Sequence, residues 1–532
     1  MSQLKRQSMM KNNPARDQAL QARDAFKLKP TSLVGFNSAG RIIAVGEDAA
    51  LKSCDHLPKS LNLNRVSSSG DGSRIQISGY LGEYVVSLTD KQGNVTSSKA
   101  DAILDLHAQP IINREMLPAG YFHVSVADLG NAELIEELEN LQGEFDKPRY
   151  FEYDPSICAH GVNGKIACRQ CIDACPAEAI QSLGERIEVN SHLCQGGGSC
   201  TTVCPSGAIR YLYPNIRDNG QRLREMLRVY REQGGARGVV VFHADSYNPD
   251  SYLQEYDNLL PVRVEELASV GMDLCLSALV YGAAQVVLLV DEEVPSTSLA
   301  NLDAQLDWLQ AILAGLGLDP LCVATCSVNS DIADVGSGCS VEVAIYDMPD
   351  SKRNAIFQAL DHLVNCLHPE LAEVELPASA PFGDVVIDAA KCTLCMACVG
   401  ACPGKALQDG SNREVPEVFF IENQCLQCTG CVITCPEQAV TLMPRIIFDR
   451  ETRNRSRSLN SDTPFACISC GKAFAPTSVI NKMQEKLKDH YMFSNARALD
   501  RLKMCEDCRV VDIVEDPEAF KGQFDPLDTS RH

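Results

Sequence analysis

Apolar and polar positions change rhythm several times along this chain, and each change predicts a different kind of element. From Ser32 to Asp105 the short alternating runs RIIAV, RIQISG and YVVSL lie between clusters of Gly, Asn and Ser, the pattern of a small β-rich unit. NAELIEELENLQG then places Leu134, Ile135 and Leu138 at helical spacing, with Gly143 as the expected stop. The polar residues 1 to 30 before all this are expected to fray. Between Ile216 and Gly235, Leu223, Met226, Leu227 and Tyr230 follow i, i+3, i+4, i+7 and predict an amphipathic helix. Beyond it the apolar runs GVVVF, PVRVEE, AQVVLLV, LCVATC and VEVAIYD read as strands, alternating with helices that begin at Met272, Ser298 and Lys352. Such alternation predicts an α/β layer around a mainly parallel sheet over residues 236–370, with LPASAPFG as the linker out of it.

With 532 residues the chain has room for about three or four domains. Its 22% charged and 45% hydrophobic content excludes disorder as the main state. The net charge of −22 repels nucleic acid and anionic lipid, and favours a partner protein with a basic docking surface. No membrane span is expected, because the longest apolar run, Leu274 to Val290, is broken by Ser277, Gly282 and Gln285. The opening MSQLKRQSMMKNNPARDQAL has no apolar stretch of the kind a secretory signal needs, so the expected location is cytoplasmic. In a reducing compartment the 25 cysteines cannot form a disulfide framework; they are metal ligands, catalytic thiols or core residues.

Spacing separates these. Cys392, Cys395, Cys398 and Cys402 before Pro403, then Cys425, Cys428, Cys431 and Cys435 before Pro436, fit C-x2-C-x2-C-x3-C-P twice without departure. In that run the fourth cysteine serves the other cluster. One 4Fe-4S cluster is therefore expected on Cys392, Cys395, Cys398 and Cys435, and a second on Cys425, Cys428, Cys431 and Cys402. Zinc, which closes with four ligands, gains nothing from triple x2 spacing. An earlier block is a modified copy, so the chain carries an internal repeat. There Cys168, Cys171 and Cys175 precede Pro176, but Lys165 holds the place of the first cysteine. Cys158 stands upstream in a loop that Gly161 and Gly164 let fold back. Cys194, Cys200 and Cys204 precede Pro205, with Gly197 at the second position. Crossing the ligands as before gives one cluster on Cys158, Cys168, Cys171 and Cys204. It leaves Cys175, Cys194 and Cys200 as a three-thiolate site for a 3Fe-4S or 4Fe-4S cluster.

Residues 150–213 and 384–445 thus each resemble a two-cluster 4Fe-4S ferredoxin domain. The stretch from GVVVFHAD to VYGAAQVVLLV resembles the flavodoxin-like iron-sulfur subunit shared by methyl-viologen-reducing hydrogenases and heterodisulfide reductases. That family's 2Fe-2S centre is not carried over, because PVRVEELA stands where a cysteine is expected. The order of parts, with Gly120, Tyr121 and Phe122 ahead of the first block, is similar to that of proteobacterial multidomain ferredoxins which accompany formate dehydrogenase genes. The resemblance implies a multidomain α+β and α/β chain: a β-rich unit with a linking helix (1–149), a modified ferredoxin module (150–213) and a flavodoxin-like parallel-sheet domain (214–376). A complete ferredoxin module (384–445) and a zinc ribbon (460–515) follow.

That last unit rests on Cys467-x2-Cys470 with Gly471 and Lys472, then Cys505-x2-Cys508, a spacing that reads as a closed structural zinc site, with rubredoxin-like iron as the alternative. The basic stretch RIIFDRETRNRSRS ahead of it reads as a solvated linker. Cys54, Cys275, Cys322, Cys326, Cys339 and Cys366 are most simply core residues, although Cys322 and Cys326 flank a strand on one face and a redox pair is the alternative. His160 and His192 stand beside cluster cysteines and are expected to tune or solvate them. No G-x-G-x-x-G follows a strand and no phosphate-binding GK[ST] loop exists, so nucleotide chemistry has no support. The expected function is single-electron transfer, as a carrier or subunit for a formate dehydrogenase, hydrogenase or heterodisulfide-reductase-like oxidoreductase. An enzyme using the three-thiolate site and an assembly factor with structural clusters are the alternatives.

Overall fold

A computed structural model describes residues 3–69, 74–244, 256–328, 330–332, 338–410, 415–493 and 495–517. Contacts divide the chain into two compact units, Met1–His160 with Arg169–Ser379, and Gly161–Cys168 with Ala380–His532. The fold is mixed α/β, with several sheets, some of them parallel.

In the first unit, the stretch up to residue 30 that the sequence predicts to fray is helical over most of its described length. A helix spans Gln3–Ala25, with Ala15 and Ala19 fully buried against the helix Ile216–Glu232. The buried face is made of alanines, which carry little apolar signal but let two helices approach closely. Arg16 Nη1 donates to the Tyr256 carbonyl at 3.2 Å, and Arg23 donates to that of Pro261. The β-rich region holds a parallel sheet of Asn62–Ser67, Arg41–Gly46, Ala102–Asp105 and Tyr121–His123. An antiparallel sheet of Arg74–Ser78, Tyr84–Thr89 and Val95–Ala100 accompanies it. The helix Ala132–Glu139 ends at Asn140 rather than Gly143. Gly143 lies inside the strand Gln142–Pro148, which pairs antiparallel with Leu33–Ala39.

The α/β layer is a four-stranded parallel sheet in the order Leu259–Val264, Val239–Ala244, Gln285–Val290, Val323–Ser327. Its inner strands are buried almost throughout, as a parallel sheet covered on both faces requires. Met272–Val280 is wholly buried, Asp273 and Ser277 included, and leads into Gln285–Val290; Ser296–Gly315 is the crossover to Val323–Ser327, and Lys352–Leu367 follows that last strand and packs against Met272–Val280. VEVAIYD is not a fifth strand. Its Ala344 N–H meets the Val280 carbonyl at the end of the buried helix instead, at 2.9 Å, and just before it Cys339 N–H meets that of Ala284 at 2.8 Å. Ile345 is left 87% exposed.

In the second unit, Gly383–Ile387 pairs antiparallel with Val440–Ile447, and Glu417–Phe420 pairs with both Leu407–Asp409 and Arg457–Ser461. The basic stretch from Arg445 to Ser458 is therefore structural, not a solvated linker. Ile446, Ile447 and Phe448 are buried, and buried Arg453 donates to the carbonyls of Ile447 at 2.6 Å and Phe448 at 2.8 Å. Asp384 and Glu422 are buried carboxylates. Arg445 pairs with both, at 3.0 and 2.8 Å, and Arg457 completes the network from the added strand. A charge count along the sequence cannot reveal this, because the partners that pull these arginines inward lie far upstream. Among the described residues, no helix is long and apolar enough to cross a membrane.

Candidate metal centres

The two halves of the cysteine run at 392–435 adopt one local design. Each C-x2-C-x2-C loop holds its third and fifth residues in the left-handed region, Leu394 and Met396 in one, Gln427 and Thr429 in the other. Non-glycine residues rarely accept that conformation, so the pairing marks a tight loop whose peptide groups are turned in a fixed direction. A short helix follows each loop, Ala397–Gly400 and Gly430–Thr434, and delivers the fourth cysteine. Each Cys-Pro is then followed two residues later by another left-handed residue, Lys405 and Gln438.

The side chains converge across the halves. Burial, then the nearby sulfurs of Cys392, Cys395 and Cys435, push the Cys398 thiol up to about 12. Burial, then Cys425, Cys428 and Cys402, raise the Cys431 thiol further, with Cys398 a more distant contributor. All these sulfurs except those of Cys395 and Cys428 pack in one apolar cluster around Val385, Leu407 and Phe420. A cavity is lined by Cys402, Cys425, Cys428 and Cys431. N–H groups aim at the sulfurs: Leu394 N to Cys392 Sγ at 3.4 Å, Ala439 N to Cys435 Sγ at 3.3 Å, and Gln427 Nε2 to Cys425 Sγ at 3.3 Å.

The first block repeats this order of elements. Phe151–Tyr153 pairs antiparallel with Ile209–Tyr211, and Ile180–Leu183 with Arg186–Val189, around the short helices Gln170–Asp173 and Ser199–Val203. Glu178 and Gly207 are left-handed at the positions of Lys405 and Gln438, and Ala179 N donates to Cys175 Sγ at 3.4 Å as Ala439 does to Cys435. Although Gly197 replaces a cysteine, the loop geometry persists, with Gly196 and Gly198 left-handed on either side of it. Cys200 is enclosed, its thiol raised by burial and by Cys175, Cys194, Cys171 and Cys204. Cys158 and Cys171 pack with Cys175, Cys194, Cys200 and Cys204 in a separate apolar cluster around Phe151, Ile180 and Ile209, and Cys158 hydrogen-bonds Tyr153. Cys168 lies in the other compact unit, with the segment Gly161–Cys168. There Lys165 Nζ donates to the Ile433 carbonyl at 2.7 Å, and Cys168 stands near Cys428.

The surroundings fit a polar inorganic group held by thiolates. Among the described residues, Gln170 Oε1, Gln195 Nε2, Gln427 Oε1 and Thr434 Oγ1 are buried without a hydrogen-bond partner, and each belongs to a residue adjoining a cysteine of these blocks. Buried orphan groups of this kind are costly, and Gln195 and Thr434 can donate to sulfide. Two lysines invisible to spacing arguments brace the first block. Lys147 Nζ donates to the carbonyls of His192 and Cys194, both at 2.7 Å, and lies 4.9 Å from the centre of the Phe36 ring; burial holds it down at about 8. Lys352 Nζ donates to the carbonyls of Thr201 at 3.0 Å and Cys204 at 3.2 Å, and to that of Thr202, capping the helix that carries Cys200. Burial lowers its pKa against the pull of Asp273, itself buried. Only the structure links Lys352 to a block some 150 residues upstream. His192 stacks on Tyr80 with centroids 4.2 Å apart, and His160 shares a 2.7 Å hydrogen bond with Ser182.

The last cysteine group closes on itself. The Sγ atoms of Cys467, Cys470, Cys505 and Cys508 all lie within 4.8 Å of one another, with Cys470 and Cys505 at 3.7 Å. Four thiolates around a tetrahedral ion at about 2.3 Å stand about 3.8 Å apart, so the donor set is of the right size for such an ion. Gly471 is left-handed and its N–H returns to the Cys467 carbonyl at 2.8 Å, forming the knuckle. Although burial acts to raise it, the Cys467 thiol is held down at about 6 by the N–H groups of Cys470, Cys505 and Ser469. Of the scattered cysteines, Cys54, Cys275, Cys322 and Cys339 are buried, while Cys326 and Cys366 are partly exposed. Burial raises Cys322 to about 11 and Cys339 to about 12, with Cys322 and Cys366 adding to the latter.

No curated protein matches this sequence. Residues 391–440 match the 4Fe-4S dicluster domain, the stretch whose cysteines converge from its two halves. That match, with the cysteine groups described above, supports 4Fe-4S cluster binding and an iron-sulfur protein of the ferredoxin type.

Proposed function

We propose that the chain is an electron-transfer protein that relays single electrons through three 4Fe-4S clusters and a fourth cluster on Cys175, Cys194 and Cys200, with zinc in the C-terminal site. It would serve as carrier or subunit for an oxidoreductase of the formate dehydrogenase, hydrogenase or heterodisulfide reductase kind. The observation that carries this reading is the crossing of cysteines at 392–435. Each short helix there leads from one sulfur group to the other, so two clusters would sit back to back in one apolar core. Clusters held this way change charge by one electron, at potentials set by burial, net charge and hydrogen bonds to sulfur. The chain's residues supply those conditions: apolar walls, N–H donors aimed at sulfur, and buried lysines behind the first block.

Partner encounter would be electrostatic. At the carboxyl edge of the parallel sheet, burial and then Glu265, Asp291 and Glu293 push Glu266 up to about 7, marking a local concentration of acid beside the first block. Gly198 and Thr202 pack there against Ser269 and Ala268. Stopped-flow mixing of the reduced chain with a basic haem protein tests this. Electrons are expected to pass in one-electron steps, at a rate that falls about tenfold or more between low salt and 0.5 M salt. Clusters that reduce but hand nothing on would point to the structural alternative.

A further inference from the structure

The first block lacks a cysteine at Gly197, yet the space beside that residue is not left to solvent. A Cβ built on Gly197 would stand 3.2 Å from Met116 Sδ and 3.4 Å from Pro176 Cγ, so the methionine sulfur borders the place where a cysteine side chain would begin. Met116 also packs against Ala177, Ala179 and Leu193, the same small cluster that receives Cys175 and Cys194, two of the three thiols of that site.

Its position is fixed by its own backbone and by the two residues before it. Arg114 Nε pairs with Glu178 Oε2 at 3.2 Å, and Met116 N donates to the Pro176 carbonyl at 3.1 Å. Glu115 accepts from Ser296 Oγ at 2.6 Å, Thr297 N at 3.0 Å and Thr297 Oγ1 at 2.9 Å. Three consecutive residues of an irregular loop, each anchored to a different point, amount to a preorganised presentation of the Met116 side chain at their end. The block meanwhile keeps the left-handed pair at Gly196 and Gly198 that belongs to a cluster loop.

We infer that the thioether of Met116 replaces the missing thiolate and holds the fourth iron of a 4Fe-4S cluster on Cys175, Cys194 and Cys200. The inference rests on the cluster-binding reading above. Thioether sulfur is a soft donor suited to iron-sulfur chemistry. Being neutral where cysteine is anionic, it leaves the cluster one negative charge short of its neighbours and easier to reduce.

Met116→Leu keeps the volume and removes the sulfur, and Met116→Cys restores a thiolate. Both are to be made in the full chain, isolated anaerobically, with the clusters of 392–435 as internal reference. The Leu variant is expected to lose about one iron per chain on mild oxidation and to show the spin-resonance signal of an oxidised three-iron centre. The Cys variant should keep its iron, with that cluster's potential shifted below the wild-type value. An unchanged iron content and potential in the Leu variant overturns the inference. So does a stoichiometric three-iron signal in the wild type, or absence of any first-block cluster beside intact reference clusters. Absence of every cluster signal would instead defeat the underlying reading.

Discussion

Cys392→Ala combined with Cys435→Ser is expected to cost no more iron than either change alone, about four irons per chain, because both residues serve one cluster. Cys392→Ala combined with Cys402→Ser is expected to cost about eight, because those residues serve different clusters although they are neighbours in sequence. The expectation follows from the sulfurs that surround Cys398, which come from its own loop and from Cys435. It follows equally from those around Cys431, which include Cys402. Serine in place of the fourth cysteine preserves the short helix before it and the turn after it, so the loss reports ligation and not unfolding. Iron analysis of the single and double variants checks it. Additivity of Cys392 with Cys435 would show that each half binds its own cluster.

Stripping the C-terminal ion with a zinc-selective chelator is expected to unfold that end of the chain while the visible absorption of the clusters persists. Beyond residue 463, the buried apolar groups among the described residues are Ile480, Ala498 and Leu502, besides the thiols Cys467 and Cys505. Three aliphatic side chains cannot offset the ordering of three helices, Thr477–Leu487, Ala496–Arg501 and Glu506–Glu515. The salt bridges of Arg497 with Asp512 and Lys482 with Glu437 leave their basic side chains open to water and add little. A structural zinc site supplies roughly 10–16 kcal/mol in comparable small folds, and on the proposed reading that would be the missing term here. Limited proteolysis should accordingly turn from resistance to rapid cleavage in this segment once the ion is removed. Unchanged cleavage would mean that the thiols do not hold a structural ion.

Much of this was legible in the sequence, for a physical reason: ligand spacing is a local property. The triple x2 intervals and the following prolines span only a few residues, and the structure sets a tight loop, a short helix and a left-handed turn within them, with the helix before the fourth cysteine. The parallel sheet was legible for the same reason, since strands buried on both faces are continuous apolar runs. Features that depend on distant partners were not. The N-terminal helix packs through Ala15 and Ala19, which read as neutral until the facing helix is known. The run from Arg445 to Arg457 looked solvated because Asp384 and Glu422, which draw it inward, lie outside any local window. VEVAIYD has the alternation of a strand, but its Ala344 N–H is taken by the Val280 carbonyl at the end of the buried helix. Lys147, Lys352 and Met116 escaped notice because nothing marks a lone lysine or methionine until the fold brings it to a cysteine block.

The central claim is that this polypeptide holds several redox-active clusters at once. Iron, acid-labile sulfide and zinc measured on the same anaerobic sample, alongside a dithionite titration followed in the visible, test it most directly. The account predicts about 15 or 16 irons, about 16 sulfides, about one zinc and a brown absorbance that bleaches as about four electrons enter. A colourless chain, or one with about four irons or fewer, would contradict it.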